Sequence, residues 1–201
     1  TARYAPWQEV QLLDGLADRV LDGSISEIGV SNIGPKRLAW MQQRLAERGV
    51  PLRSVQVQYS LLSPGDAKVD ALRKLCCERG IEVLAYSPLA FGVLTMPPEG
   101  ERRPRTVLQR QLLARLQPAS RSLRAVVATI AGQRSVSMAQ VALNWCRAQG
   151  TTPIPGLRTP DQARDVAGAL QWSLTSAELD QLTMARQQCT VRTPSNPFQS
   201  A

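Results

Sequence analysis

Histidine is absent from the 201 residues. That excludes an imidazole acid or base within this chain, and any His-ligated metal site. Aromatic residues make up only 4 %, and they do not alternate with basic residues as a base-stacking surface would. No apolar run approaches the roughly 20 residues of a membrane span. Cysteine is scarce: Cys76, Cys77, Cys146 and Cys189 form no Cys-x-x-Cys pair and no zinc-finger spacing. Free thiols in a reducing compartment are the expectation. No Gly-x-Gly-x-x-Gly turn follows any apolar stretch, which argues against a Rossmann-type dinucleotide fold.

What remains is an ordinary core-forming composition. Hydrophobic residues are 43 % of the chain, enough for a compact domain and too many for a disordered one. The chain starts Thr1-Ala2-Arg3, so Thr1 is not expected to be the translational start, and targeting information is expected to precede it. Twenty-four Lys and Arg against 16 Asp and Glu leave a net charge of +8. A basic surface attracts phosphates, acidic proteins or nucleic acid. The arginines are scattered, with one cluster at Arg102, Arg103, Arg105 and Arg110. A solvated basic face is therefore the plainer reading, and no nucleic-acid partner is expected.

Apolar spacing predicts helices alternating with short strands. Helices are expected at 10–21, from Gly34-Pro35 to Gly49, at 66–79, at 107–132 with a break near Pro118, at 137–149, from Thr159-Pro160 onward, and at 176–185. Cys76 and Cys146 fall inside them as small apolar residues. Ser137 with Gln140, Thr159 with Gln162, and Thr175 with Glu178 read as capping boxes. Strands are expected at 27–30, 54–59, 81–86 and 152–155. Residues 87–105 read as a long Gly- and Pro-containing loop, and 189–201 as an irregular tail. Strands separated by helices pair in parallel. Both doubly wound sheets and β/α barrels alternate in this way. Four such units are about half of an eight-unit barrel.

Each strand ends in a distinctive group: Gly29-Val30-Ser31-Asn32, then Gln56-Val57-Gln58-Tyr59-Ser60, then Tyr86-Ser87-Pro88-Leu89 followed by Gly92-Val93-Leu94-Thr95, and last Pro153-Ile154-Pro155-Gly156-Leu157-Arg158-Thr159. All four lie where parallel strands finish, the face on which barrels build their sites. Taken singly, each has a plain structural explanation: a turn and cap, a packed tyrosine, an exposed arginine. In this order and spacing they resemble the aldo-keto reductase family across nearly the whole chain. Arg48 to Leu52, Asn144-Trp145-Cys146 and Asn196-Pro197-Phe198-Gln199 resemble its plant-type plastid pyridoxal reductase branch.

The resemblance implies a TIM (β/α)8 barrel of the NADP-dependent oxidoreductase type, with only its second half, about strands 5–8, in residues 1–201. It implies NADPH as cofactor. Ser31, Asn32 and Gln56 would hydrogen-bond the nicotinamide carboxamide, which needs partners that both donate and accept. Tyr86 would stack on the nicotinamide ring. Ser87, Leu89 and Gly92 would lie along the pyrophosphate, and Arg158 would meet the adenosine 2′-phosphate with its guanidinium fork.

Two positions depart from the family pattern. Val166 stands where an Asn is usual near the adenine, and Met96 replaces a Gly before a missing Lys. The larger departure is that the family's Tyr, Lys, Asp and His tetrad matches nothing here. The implied parent is an NADPH-dependent aldehyde reductase, reducing pyridoxal to pyridoxine in chloroplast vitamin B6 metabolism, or otherwise cytoplasmic. This chain alone is expected to be inactive, its partner being the missing N-terminal half or a protein that covers the open core. The alternative is a non-catalytic, barrel-derived subunit of a larger assembly.

Overall fold

Side-chain N-caps at Ser137, Thr159 and Thr175 open three of the helices in the computed structural model, which describes residues 6–64, 67–100 and 106–194. The described residues fall into two compact units. One holds the residues up to Val57 and those of 67–84; the other holds Gln58–Pro64 and Ala85–Pro194. Arg102, Arg103, Arg105, the expected helix start at residue 66 and the tail beyond 194 lie outside the described residues. Among the described residues no helix is long and apolar enough to cross a membrane.

The first unit alternates helix and strand. Helix α1 (Pro6–Leu21) leads to β1 (Ile28–Ser31), α2 (Pro35–Ala46), β2 (Leu52–Gln58, its last residue in the other unit), α3 (Ala67–Arg79) and the start of β3 (Glu82–Tyr86). Pro35 sits in the first turn of α2, where a missing N–H costs nothing. The helix ends at Ala46, short of Gly49, whose left-handed φ of 72° turns the chain toward β2. Strands β1, β2 and β3 lie side by side in that order. The β1–β2 pairing is parallel and sets Gly29 opposite Ser54 and Ser31 opposite Gln56, after a bulge between Ile28 and Gly29. Gly29 leaves room for the Ser54 hydroxyl, since a Cβ would stand 2.4 Å from its Oγ and force that side chain to turn away.

Leu13, Ala17, Leu38, Leu45, Val55 and Leu72 are buried in this unit. Outside them, Asp14 on α1 accepts from Arg44 Nε and Nη2 on α2 at 3.1 and 2.7 Å. The Arg44 guanidinium holds the Asp14 carboxyl below its ordinary range.

The second unit holds the end of β3 with β4 (Thr152–Ile154) beside it, a 3-10 helix (Ala90–Thr95), and α4 (Val107–Ala119), α5 (Arg121–Arg134), α6 (Met138–Ala148), α7 (Pro160–Gly168) and α8 (Ser176–Gln188). The expected loop after β3 thus contains a short helix, and the break expected near Pro118 separates α4 from α5. Pro118 lies in the last turn of α4, and the chain restarts at Arg121. Leu116, Leu123, Val127, Ile130, Val141 and Leu182 are wholly buried. Tyr59 stacks on Trp145 with ring centroids 5.4 Å apart. The Thr193 N–H donates to Leu62 O at 2.8 Å, anchoring the chain after α8.

Of the three expected capping boxes, only one is reciprocal. Thr175 and Glu178 cap α8 in both directions. Ser137 and Thr159 do accept from the N–H groups of Gln140 and Gln162. The Gln140 side chain, however, binds Asp165 and Trp172, and the Gln162 side chain accepts from the N–H of Arg158. For Gln140, partners 25 and 32 residues away outcompeted the local bond; for Gln162, the N–H one residue before the cap took its place.

Candidate functional site

The strand ends carry the polar side chains, in each unit separately. In the first unit, Ser31 closes β1 and Asn32 follows with φ 56°, a left-handed conformation that Asn tolerates better than most residues. The turn is fixed by the Asn32 N–H, which donates to Gln56 O at 2.9 Å. Asn32 Nδ2 donates to Ser31 Oγ at 3.0 Å. The parallel register places Gln56 across from Ser31. Ser31, Asn32 and Gln56 therefore form one cluster of two amides and a hydroxyl, which together offer donors and acceptors.

In the second unit, Tyr86 closes β3, half-buried, and its carbonyl accepts the Tyr59 N–H at 3.2 Å. The backbone then turns left-handed at Ser87 (φ 52°), Ala90 (48°), Phe91 (59°) and Gly92 (84°). Three of these carry side chains, and such backbone costs of order 1–3 kcal/mol per residue. The turn is held by hydrogen bonds from Ala90 N–H to Ser87 O and from Gly92 N–H to Leu89 O, both 2.9 Å. Thr95 Oγ1 also donates to Gly92 O at 2.9 Å.

This strained segment forms one wall of a cavity of about 510 Å³. The opposite wall is Pro155 to Arg158 with Gln162, Asp165 and Val166 of α7. Ser87, Leu89, Gly92 and Arg158, expected from sequence to touch a dinucleotide, all line it. The size falls within the usual range of small-molecule sites. Arg158 is exposed, and its guanidinium makes no ion pair among the described residues. A free guanidinium at the rim of a cavity is suited to a phosphate.

Asp165 was not among the residues singled out from sequence. One carboxylate oxygen accepts from Ser137 Oγ at 2.8 Å and the other from Gln140 Nε2 at 2.9 Å. Gln140 Oε1 in turn accepts from Trp172 Nε1 at 3.0 Å. Gly168 lets Gln140 approach, since a Cβ there would meet Nε2 at 2.7 Å. This network fixes α7, and with it the cavity wall, against α6.

The departures have structural consequences. Val166 lines the cavity and offers no hydrogen bond. Met96 is buried, at 9 % exposure, and Pro97 after it supplies no charge where the family pattern has Lys. A larger cavity of about 570 Å³ in the same unit lies between α6, β4 and α7. Its walls are mainly apolar, and of the positions expected near the cofactor it shares only Val166. The 510 Å³ cavity carries the strained backbone and the free cation, and so is the better candidate site.

The sequence profile of the aldo/keto reductase family matches residues 4–187. "Pyridoxal reductase, chloroplastic" of Arabidopsis thaliana is 41 % identical over 203 residues, covering 100 % of this chain and 54 % of that protein. An uncharacterized oxidoreductase of Mycobacterium bovis is 33 % identical over 181 residues, covering 87 % and 53 %. Versiconal hemiacetal acetate reductase of Aspergillus parasiticus is 28 % identical over 193 residues, covering 90 % and 53 %. The chain thus spans about half the length of the curated relatives it matches. A crystal structure of a thermostable aldo-keto reductase in complex with the inhibitor epalrestat superposes with a TM-score of 0.64. It is 24 % identical, covers 88 % of this chain and 54 % of that one, and at that identity bears on the fold alone.

Proposed function

The chain belongs to the aldo/keto reductase family, and on that premise we propose that it is the cofactor-holding, second half of an NADPH-dependent aldehyde reductase barrel. The observation that carries this reading is the meeting of Ser87, Leu89, Gly92 and Arg158 on one cavity. Arg158 supplies a permanent charge for a 2′-phosphate, and the left-handed turn at 90–92 brings backbone close to a pyrophosphate. Asp165 offers only acceptors, which suit an amino or hydroxyl group. Val166 supplies apolar packing alone at the adenine end. In the first unit, Ser31, Asn32 and Gln56 are the proposed partners of the carboxamide, and Tyr86 in the second is the proposed ring-stacking residue. The cofactor, when bound, supplies a hydride.

Hydride transfer to a carbonyl also needs a proton donor at the developing oxyanion. The 201 residues contain no histidine and three tyrosines. Tyr59 is buried against Trp145, Tyr86 belongs to the proposed cofactor site, and Tyr4 lies outside the described residues. None of the three matches the tyrosine of the family's tetrad, and on that resemblance the acid is proposed to lie on polypeptide beyond this chain. That polypeptide would also complete the barrel. Identity of 41 % to a chloroplastic pyridoxal reductase supports pyridoxal as substrate, a role in vitamin B6 metabolism and a plastid location.

A second reading is favoured by Val166 and the buried Met96. They weaken the adenine and pyrophosphate contacts, as a barrel-derived subunit retained for assembly would tolerate. Turnover decides between them. The full-length gene product should oxidise NADPH with pyridoxal, and the 201-residue chain alone should not. A full-length product that binds neither compound would support the structural subunit.

A further inference from the structure

Among the described residues Arg124 is the largest wholly buried side chain, at 2 % exposure. No carboxylate pairs with it among the described residues. Its guanidinium is held by backbone carbonyls alone. Nη2 donates to Gln117 O at 2.8 Å, in the last turn of α4. Nη1 donates to Pro97 O and reaches Met96 O at 3.4 Å and Gly100 O at 3.3 Å. A charge buried without a counter-ion survives only where such dipoles replace its water. Burial, with Arg121 repelling, lowers its pKa, yet a guanidinium stays charged throughout the range in which proteins fold.

The placement of those carbonyls is informative. Met96 caps the 3-10 helix, its N–H donating to Val93 O at 3.3 Å. One residue earlier stands Thr95, which with Phe91 and Gly92 lines the 510 Å³ cavity. Gly100 N–H donates to Pro97 O at 2.9 Å, closing the 97–100 turn around the same guanidinium. Arg124 thus joins the start of α5, the end of α4 and the segment that finishes the strained wall. Three left-handed residues in a row, Ala90 to Gly92, do not persist without such external restraint.

We propose that Arg124 is a positioning residue for the dinucleotide cavity, a carbonyl-bound clamp that keeps the 90–100 segment shaped to receive the ligand. This rests on the reading of that cavity as an NADPH site. It adds a determinant that touches no ligand.

The test compares wild-type protein with Arg124→Ala and Arg124→Lys, using NADPH fluorescence titration and limited trypsin digestion. Arg102 and Arg105 follow the 90–100 segment in sequence, so trypsin reports the hold on this segment. Arg124→Ala should bind NADPH about tenfold more weakly, the equivalent of about one lost hydrogen bond. It should also be cut faster after Arg102 and Arg105, Arg103 being followed by Pro104 and so resistant to trypsin. Millimolar guanidinium chloride, but not sodium chloride, should restore both properties, which general destabilisation would not allow. Arg124→Lys, with three donors and no planar fork, should fall between. If Arg124→Ala does not fold, Arg124→Lys carries the test through the same two readouts. Wild-type affinity and trypsin resistance in a folded variant overturn the clamp. A wild-type protein that binds no NADPH, while trypsin still distinguishes the variants, overturns the cofactor reading and leaves the clamp on its segment.

Discussion

Replacing Glu178 by Gln should destabilise the second unit by an amount that depends on pH. Glu178 is the third residue of α8 and caps it. Its Oε2 accepts from the Thr175 N–H at 2.7 Å and from Thr175 Oγ1 at 2.8 Å. It also receives the Arg134 fork, with Nε to Oε1 at 2.5 Å and Nη2 to Oε2 at 2.6 Å. Arg134 is the last residue of α5, and its guanidinium lies over Trp172 at 4.9 Å. The bond from Arg134 is the main reason the Glu178 carboxyl sits at about 2 instead of 4.5.

A lowered carboxylate pKa stabilises the folded state fully above the unfolded value and progressively less as pH falls toward the folded value. At about 1.36 kcal/mol for each pH unit, the ceiling is about 3 kcal/mol. Arg134 keeps 28 % of its side chain in water, so screening reduces the expected loss to about 2 kcal/mol. Urea midpoints measured near pH 7 and near pH 3 should show it. The Glu178→Gln protein should be less stable than wild type near pH 7, and the gap should shrink to about half near pH 3, within the window from 4.5 down to about 2. A gap that is equal at both pH values, or below about 0.3 kcal/mol near neutrality, would show that the pair contributes no charge-dependent stability.

Gly29→Ala should cost about 1 kcal/mol through its clash with Ser54, and Ser54→Ala should relieve it in the double variant, as thermal melts of the four proteins would show. Gly168→Ala should push Gln140 off Asp165 and lower NADPH affinity about tenfold; unchanged affinity would disconnect that network from the cavity. Cys77 is exposed, whereas burial pushes the Cys76 thiol up to about 11. A thiol reagent near neutral pH should therefore modify Cys77 and spare Cys76, and peptide mapping that finds Cys76 labelled first in native protein would refute the burial.

Periodicity and caps made most of the fold legible before any coordinates. Thr175 and Glu178 mark α8 because their bonds are local. What stayed hidden depends on distant partners. Gln140 reads as part of a capping box, yet Asp165 and Trp172, 25 and 32 residues away, claim its side chain. Asp165 itself looks like any polar residue on a helix surface. Ala90 and Phe91 give no hint of left-handed backbone, because neither is Gly or Asn, so the 3-10 wall read as loop. Arg124 falls at a position that helical spacing marks as buried, and only the carbonyls around it explain an arginine there. The strand-end residues were legible as a set, through order and spacing.

The central claim is that this chain holds the 2′-phosphate end of NADPH through Arg158. Nicotinamide fluorescence titrations of wild type and Arg158→Ala, each with NADPH and with NADH, test it most directly. The account predicts saturable NADPH binding to wild type, weakened about tenfold or more by Arg158→Ala, with NADH affinity unchanged. Equal affinity of the two proteins for NADPH, or equal losses for both nucleotides, would contradict it.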